Sequence, residues 1–380
     1  MTTPLPARRA TPTIAPLAEP FEGVERIAVL RGGGLGDLLF ALPALDALAN
    51  AYPAASITLL GTPLARALLD GRPGPVSRVE LLPHVSGVHL PAGSAADPAA
   101  AADFAERMRA RNIDLVAQLH GGGRNSNPFV LGLGARHSIG LATPDAPQLE
   151  RTLPYLYYQH EVARFLEVAG LAGAAPVTLE PSIPVLPHER DAADRHLDER
   201  RHGLVVLHPG ATDPRRRWPC ASFAEVAARL ASNGRQVVVV GDASDRELAA
   251  SVVTATRERV GTAAASRVSS LAGELDLGTL VGLLEVADVV LGNDSGPRHL
   301  ALAVGTKTVG VFWAGNLINA GPLGRANHRV ELSWTTHCPV CGRDSTQVGW
   351  TAERCEHDVS FVADIGVDAV YGDVCELLGD

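Results

Sequence analysis

Lysine is nearly missing from this chain: of 33 Lys plus Arg residues, only Lys307 is a lysine. Alanine is abundant, so the bias reads as GC-rich codon usage, and an arginine here is not in itself a sign of bidentate anion binding. Cysteine is also sparse. Five cysteines in 380 residues make no disulfide framework. No apolar run reaches the ~18 residues of a membrane helix, which excludes a helical span. Positive charge is short as well: the net charge of −9 lacks the basic face of a general nucleic-acid binder. The 38 glycines and 27 prolines follow no period, which excludes collagen-like and solenoid architectures. Residues 1–22 are rich in Pro, Ala and Thr, carry Arg8 and Arg9, and have no apolar core. They read as a flexible tail rather than a signal segment, and the protein is expected in the cytoplasm.

The remainder is ordinary globular material. At 46% hydrophobic and 20% charged residues the chain is no disordered polymer, and its length predicts two to three domains. Arg26–Arg31 is a short apolar run ending in Gly32-Gly33-Gly34. Leu38, Leu39, Leu42, Leu45 and Leu48 then follow at helical spacing, and Ser56–Gly61 is a second short apolar run. Strand, glycine-rich turn, helix, strand is a βαβ unit. Further strands are expected near Val79–Leu82, Asp114–Leu119 and His137–Gly140, and helices over Phe104–Arg111 and His160–Ala169.

After Pro176, Pro181, Pro184 and Pro187 the pattern restarts. Strands are expected at Leu204–His208, Gln236–Gly241, Val289–Gly292 and Thr308–Phe312. Helices are expected at Phe223–Asn233, Ala243–Thr256, Leu280–Ala287, Pro297–Val304 and, last, near Asp368–Leu378. The expected fold class is α/β, with two Rossmann-like domains whose parallel sheets face each other across a cleft. The expected segments are a tail (1–22), a first domain (23–185), a second domain (186–357) and a closing helix (358–380) that packs back across both.

Three motifs carry chemistry. In Arg31-Gly-Gly-Gly34-Leu-Gly36-Asp37 a dinucleotide fingerprint fails on spacing, because Gly32 and Gly34 call for a glycine where Asp37 stands. The second strand also lacks the acidic residue for a ribose. Asp37 is either a carboxylate facing the cleft or a helix cap. In His208-Pro-Gly-Ala-Thr212-Asp-Pro-Arg215-Arg216-Arg217-Trp218-Pro219 the arginines either surround an anion or form a solvated basic turn. In Asn293-Asp294-Ser295-Gly296-Pro297-Arg298-His299 a helix starts with small residues, offering N–H groups and a positive dipole end to an anion. His299 either faces that site or packs on its helix, and Asp294 and Ser295 compete for the cap. Arginines and a helix start in one half, with a carboxylate opposite, suit group transfer from a nucleotide diphosphate to a hydroxyl.

At these residues the chain resembles the family 9 glycosyltransferases, the ADP-heptose heptosyltransferases of lipopolysaccharide assembly. The resemblance runs from about Arg26 onward. It rests on Gly36-Asp37 with Leu42-Pro43-Ala44-Leu45, on His208-Pro209-Gly210-Ala211 with Arg217-Trp218-Pro219, and on Asp294-Ser295-Gly296-Pro297-Arg298-His299. It implies a GT-B fold and an inverting, metal-independent transfer of heptose from ADP-heptose. The first domain would take the acceptor and the second the donor.

By the same resemblance Asp37 is the general base, and the N–H groups of Ser295 and Gly296 bind the donor diphosphate. Thr212 touches phosphate, and Arg216 stands where the family places a phosphate-binding lysine. Asp294 and His299 face the donor sugar. Asp245, or Glu247 in its place, holds the ribose, and Leu275 lines the adenine. Gly34, Gly36, His120 and Arg124 fall on the acceptor side. There Gln118-Leu119-His120-Gly121-Gly122-Gly123-Arg124 departs from the family's Asp-Leu-Gln-Gly followed by lysine. The acceptor is thus a glycan, a lipid-linked sugar or a small molecule, and a peripheral membrane contact is compatible with the sequence. No cofactor is implied. Cys338-Pro-Val-Cys341, Cys355 and His357 are candidate ligands of a structural zinc ion, or simply reduced thiols. Two rival functions stay open: an NAD(P)-dependent Rossmann oxidoreductase and a non-catalytic nucleotide-sugar-binding protein.

Overall fold

The computed structural model describes residues 14–91, 93–95, 97–197, 203–346 and 353–379. The first unit is built from β1 (Arg26–Leu30), α1 (Leu35–Ala51), β2 (Ser56–Gly61), α2 (Pro63–Leu69), β3 (Arg78–Leu81) and α3 (Pro98–Arg109). It continues with β4 (Leu115–Gln118), α4 (Ser126–Leu131), β5 (His137–Ala142), β6 (Arg151–Pro154) and α5 (Glu161–Gly170). A connecting helix, α6 (Pro187–Asp194), leads to β7 (Leu204–His208), α7 (Cys220–Ser232), β8 (Gln236–Val239), α8 (Arg246–Arg257), α9 (Thr262–Ala265) and β9 (Val268–Ser270). The second unit closes with α10 (Leu277–Val286), β10 (Val289–Asn293), α11 (Gly296–Ala303), β11 (Lys307–Trp313), α12 (Ala314–Ala320), β12 (His328–Ser333) and α13 (Val367–Leu378).

Each unit holds one six-stranded sheet, ordered β3-β2-β1-β4-β5-β6 and β12-β11-β10-β7-β8-β9. All pairings within them are parallel, with β1 in register against both β2 and β4, and β7 against both β8 and β10. Strands covered by helices on both faces need no alternation, and β4, β7 and β10 are buried at every position. The two sheets thus share one doubly wound order, each reversing direction beside its first strand. Loops leaving neighbouring strands at such a reversal splay apart and open a crevice. The glycine turn and the His120 loop leave β1 and β4; the arginine loop and the Asp294 turn leave β7 and β10.

One apolar cluster runs through both units, from Leu38, Leu42 and Leu45 of α1 and Phe165 of α5 to Leu283 of α10 and Leu300 of α11. A buried ion pair adds to it: Glu189 of α6 receives Arg72, at 3% and 5% side-chain exposure. The closing helix α13, expected to pack back across both units, instead lays Val370, Val374 and Leu377 into the second unit's own core. The stretch expected as a tail through residue 22 has its first part, 1–13, outside the described residues. Its end is packed: Ala18 N–H donates to Gly170 O at 3.0 Å, and the buried Phe21 ring stacks on His137. The helix expected from Ala243 begins three residues later, after a single 3-10 turn capped by Asp242.

Candidate active site

The turn after β1 is shaped by Gly33, whose φ of +95° suits glycine; a Cβ there would sit 2.5 Å from Asp37 Oδ2. Asp37 lies in the first turn of α1 and folds back on it, so that Gly34 N–H donates to its Oδ2 at 2.8 Å. The Gly34 N–H at this turn is therefore already taken. The other carboxylate oxygen accepts from Arg31 Nη2 at 2.8 Å. Capping and cleft-facing roles combine, since half of the Asp37 side chain stays exposed.

Arg31, which opens the first motif directly after β1, is the residue that fixes the carboxylate. It is 5% exposed, stacks 4.8 Å from the Phe165 ring, donates to Leu119 O and lies 3.5 Å from Glu161. Glu161 is paired in turn with the buried Arg164. The signal was present: a charge ending an otherwise apolar strand, directly before the glycines.

In the second unit the three arginines part company. Arg215 is buried; it pairs with Asp213 and lies over the Trp313 and Phe361 rings at 5.7 and 5.5 Å. It is structural, so neither reading of the run, an anion cradle or a solvated basic turn, holds for all three. Arg217 is held by Ala211 O at 2.9 Å and faces a different cavity from Arg216. Arg216 reaches the cleft and donates to Asp294 Oδ2 at 3.1 Å. The loop that carries it is tied to the end of β10 by the fully buried Asn293. That side chain accepts from Trp218 N–H at 2.9 Å and donates to Pro209 O at 2.7 Å.

Asp294 is 2% exposed, and burial raises the cost of its charge. His299, Arg216 and Asn316 outweigh that cost and hold its carboxyl well below the usual carboxylate range. His299 is pushed down to about 4, first by burial and then by the adjacent Arg298 guanidinium. Its ring is accordingly neutral, with Nε2–H assigned to Asp294 Oδ1 at 2.9 Å and Nδ1 accepting from Arg298. Ser295 caps α11 in extended backbone. The two units meet here because two positions have no Cβ: one on Gly296 would lie 2.9 Å from Leu35 Cβ, and one on Gly36 would lie 3.1 Å from His299 Cδ2.

Two adjoining cavities share Leu35, Thr212, Ser295 and Gly296. The first, of about 310 Å³, has Gly34, Gly36 and Asp37 on one side and Arg216, Asp294 and His299 on the other. Glu161, Asn316 and Asn319, none of them marked by a sequence motif, also line it, as does Tyr157 of the Tyr155-Leu-Tyr157-Tyr158 run, whose aromatic clustering reads from the sequence as packing rather than as a sugar platform. The second, of about 580 Å³, is the more apolar and is lined by Leu275, Leu277, Leu280, Asp242, Asp245 and Arg217. Asp245 does not offer its carboxylate freely there. It is turned under the loop toward His208 Nε2, 3.5 Å away, and contact with His208 is the leading cause that lowers its pKa. Glu247 lines neither cavity.

A third cavity, of about 660 Å³, belongs to the first unit and is formed by His120, Gly121 to Gly123, Arg124, Thr143 and Tyr155. Arg124 is 74% exposed and paired with Asp145. His120 is mostly buried against Gly32, and burial, followed by Arg31, pushes it down to about 4.

Cys338, Cys341, Cys355 and His357 converge, with one ligand atom from each lying within 4.8 Å of the others. Tetrahedral thiolates about 2.3 Å from a zinc ion stand roughly 3.8 Å apart, so the spacing fits a candidate metal centre. A tight knuckle sets it up: Gly342 N–H donates to Cys338 O at 2.9 Å, and Cys338 N–H to Arg343 O at 2.8 Å. None of the four lines the cleft cavities.

Residues 101–347 match the family model of glycosyltransferase family 9 (heptosyltransferase). The chain is 20% identical over 361 residues to the lipopolysaccharide core heptosyltransferase OpsX of Haemophilus influenzae, covering 94% of this chain and 98% of that one. Among solved structures it is similar to E. coli ADP-heptose lps heptosyltransferase II, with a TM-score of 0.72 at 21% identity over 93% of this chain and 98% of that one. It is also similar to the iron-containing dodecameric glycosyltransferase TibC of enterotoxigenic E. coli, with a TM-score of 0.52 at 13% identity over 94% and 77%. With its two facing Rossmann-like units in the GT-B arrangement, the chain belongs to glycosyltransferase family 9, the heptosyltransferases, and is a glycosyltransferase.

Proposed function

We propose that the protein transfers heptose from ADP-heptose to a glycan hydroxyl with inversion, using Asp37 as general base and no metal at the reacting centre. One observation carries the reading: the Asp37 carboxylate and the start of α11 line the same cavity from opposite units. The adenosine lies in the neighbouring cavity against Leu275, and the diphosphate crosses the shared Thr212–Ser295–Gly296 border. Free N–H groups at a helix start and the Arg216 guanidinium then face it. The heptose enters the first cavity beside Asp294 and Asn316.

The acceptor comes from the first unit, past His120 and Arg124. Asp37 takes the proton of the acceptor hydroxyl as that oxygen bonds to the anomeric carbon. The bond to the diphosphate breaks through an oxocarbenium-like state, and ADP leaves with the electron pair. Charge that develops on the leaving oxygen is met by donors already in place, which is the term that replaces a metal ion. The Cys338–Cys341–Cys355–His357 centre, filled with zinc, braces the end of the second unit and supplies no chemistry to the transfer.

The test is acceptor-dependent release of ADP from ADP-heptose with no divalent cation added. Transfer is expected to proceed, and Asp37→Ala to lower kcat by about 10²- to 10⁴-fold while ADP affinity stays within twofold. Near-normal turnover in that variant would remove the general-base role.

A further inference from the structure

Beneath the shared border lies an arrangement that the transfer chemistry above leaves unused. His208, the last residue of β7, is 5% exposed. Its Nδ1 is 2.8 Å from Ser295 Oγ, and its Nε2 is 3.5 Å from Asp245 Oδ2. The Ser295 hydroxyl has one hydrogen, and Asn293 O, which can only accept, lies 3.2 Å from Oγ. The Asp245 carboxylate only accepts and so takes Nε2–H; the ring donates to Oγ through Nδ1–H as well in its doubly protonated form, the form that a carboxylate partner favours. Asp245 is locked beneath the ring: Asp242 N–H donates to its Oδ2 at 3.3 Å, and a Cβ on Gly210 or Gly241 would lie 2.5 Å from it. Two glycines thus make room for a carboxylate that packs against an imidazole at the cavity wall.

We propose that Asp245 and His208 are positioning residues which set the Ser295 hydroxyl as a donor to the donor-substrate diphosphate. With Oγ already accepting from His208, its one hydrogen is free to swing from the Asn293 carbonyl to a phosphate oxygen. A serine without that partner divides its time between donating and accepting, and an acceptor lone pair turned toward a phosphate is repulsive. The relay also gives Asp245 a function other than holding the ribose, and its inward placement supports that.

This inference rests on the reading that the diphosphate sits at the start of α11, and a double-mutant cycle separates the two. ADP binding to the full chain is measured by calorimetry for wild type, Ser295→Ala, His208→Ala and their combination. Ser295→Ala and His208→Ala are each expected to weaken ADP about tenfold, the scale of one hydrogen bond to a charged group. The double variant should be within about twofold of Ser295→Ala, because the histidine acts through the serine. His208→Asn, which keeps a donor near the Nδ1 position, should recover most of the loss, and its melting point checks the fold. Losses that multiply in the double variant, or a His208→Ala protein with wild-type affinity, would overturn the relay. A wild-type protein that fails to bind ADP would overturn the diphosphate reading instead.

Discussion

Two neighbouring arginines in one loop have opposite assignments, and only their surroundings decide which is which. Arg215 is buried against aromatic rings and Asp213, whereas Arg216 keeps part of its guanidinium toward the cleft cavity. Replacing Arg216 by Ala is expected to weaken ADP binding by about 1–3 kcal/mol, the range of a charge-assisted contact. Asp294 keeps His299 and Asn316 as partners in that variant, so the melting point should change little. Calorimetry that returns the wild-type Kd would take Arg216 out of the site. Nothing in the Arg-Arg-Arg run distinguishes the members, because a backbone turn of one residue exchanges an inward side chain for an outward one.

At the scale of elements, α1 and α11 approach each other start to start, and the approach depends on hydrogen atoms where other residues carry methyl groups. Gly296→Ala places a Cβ 2.9 Å from Leu35 Cβ, an atom fixed to its backbone that cannot rotate aside. The helix starts must move apart, at about 1–3 kcal/mol for overpacking. Transfer should fall more than the melting point, because the shift widens the gap between Asp37 and the diphosphate donors. A variant with unchanged kcat/KM would show that this contact does not set the geometry. The elements that the sequence reading did not find are short: α2, α4, α6, α9, α12, β6, β9 and β12. At three to eight residues each, they give periodicity little room. Among them α12 matters most, since Asn316 reaches Asp294 from it, and it buries no residue by which an apolar pattern could betray it.

For the whole molecule, buried imidazoles make stability depend on pH. His120, His299 and His328 are each pushed down to about 4, by burial first. The unfolded chain protonates them at the ordinary value of 6.5, so below that pH the unfolded state binds more protons. Stability is therefore fully present above pH 6.5 and is lost progressively as pH falls toward 4. Urea midpoints measured across that window should decline, and His328→Gln should lessen the decline; a flat profile would contradict buried neutral rings. The candidate metal centre acts on the same scale. Of its candidate ligands, Cys338 lies in the second unit's core and Cys355 packs against it, so Cys341→Ser should reduce the metal content found by elemental analysis and lower the melting point. ADP affinity should remain, because no ligand of the centre lines the cleft. Loss of ADP binding in step with the metal would assign the centre to the site.

What the sequence determined by itself is the architecture and the addresses of its chemistry. Alternating apolar runs and amphipathic helices specify doubly wound sheets, and motifs just past β1, β7 and β10 must open at the sheet ends where crevices form. Asp37, Arg216 and Ser295 were legible for that reason, since their place follows from chain order. Tertiary structure alone decided partnerships: Arg31 on Asp37, Asp245 beneath His208, Asn316 on Asp294. Each joins residues from separate loops or helices, and which side chains meet depends on where packed elements come to rest rather than on any spacing along the chain.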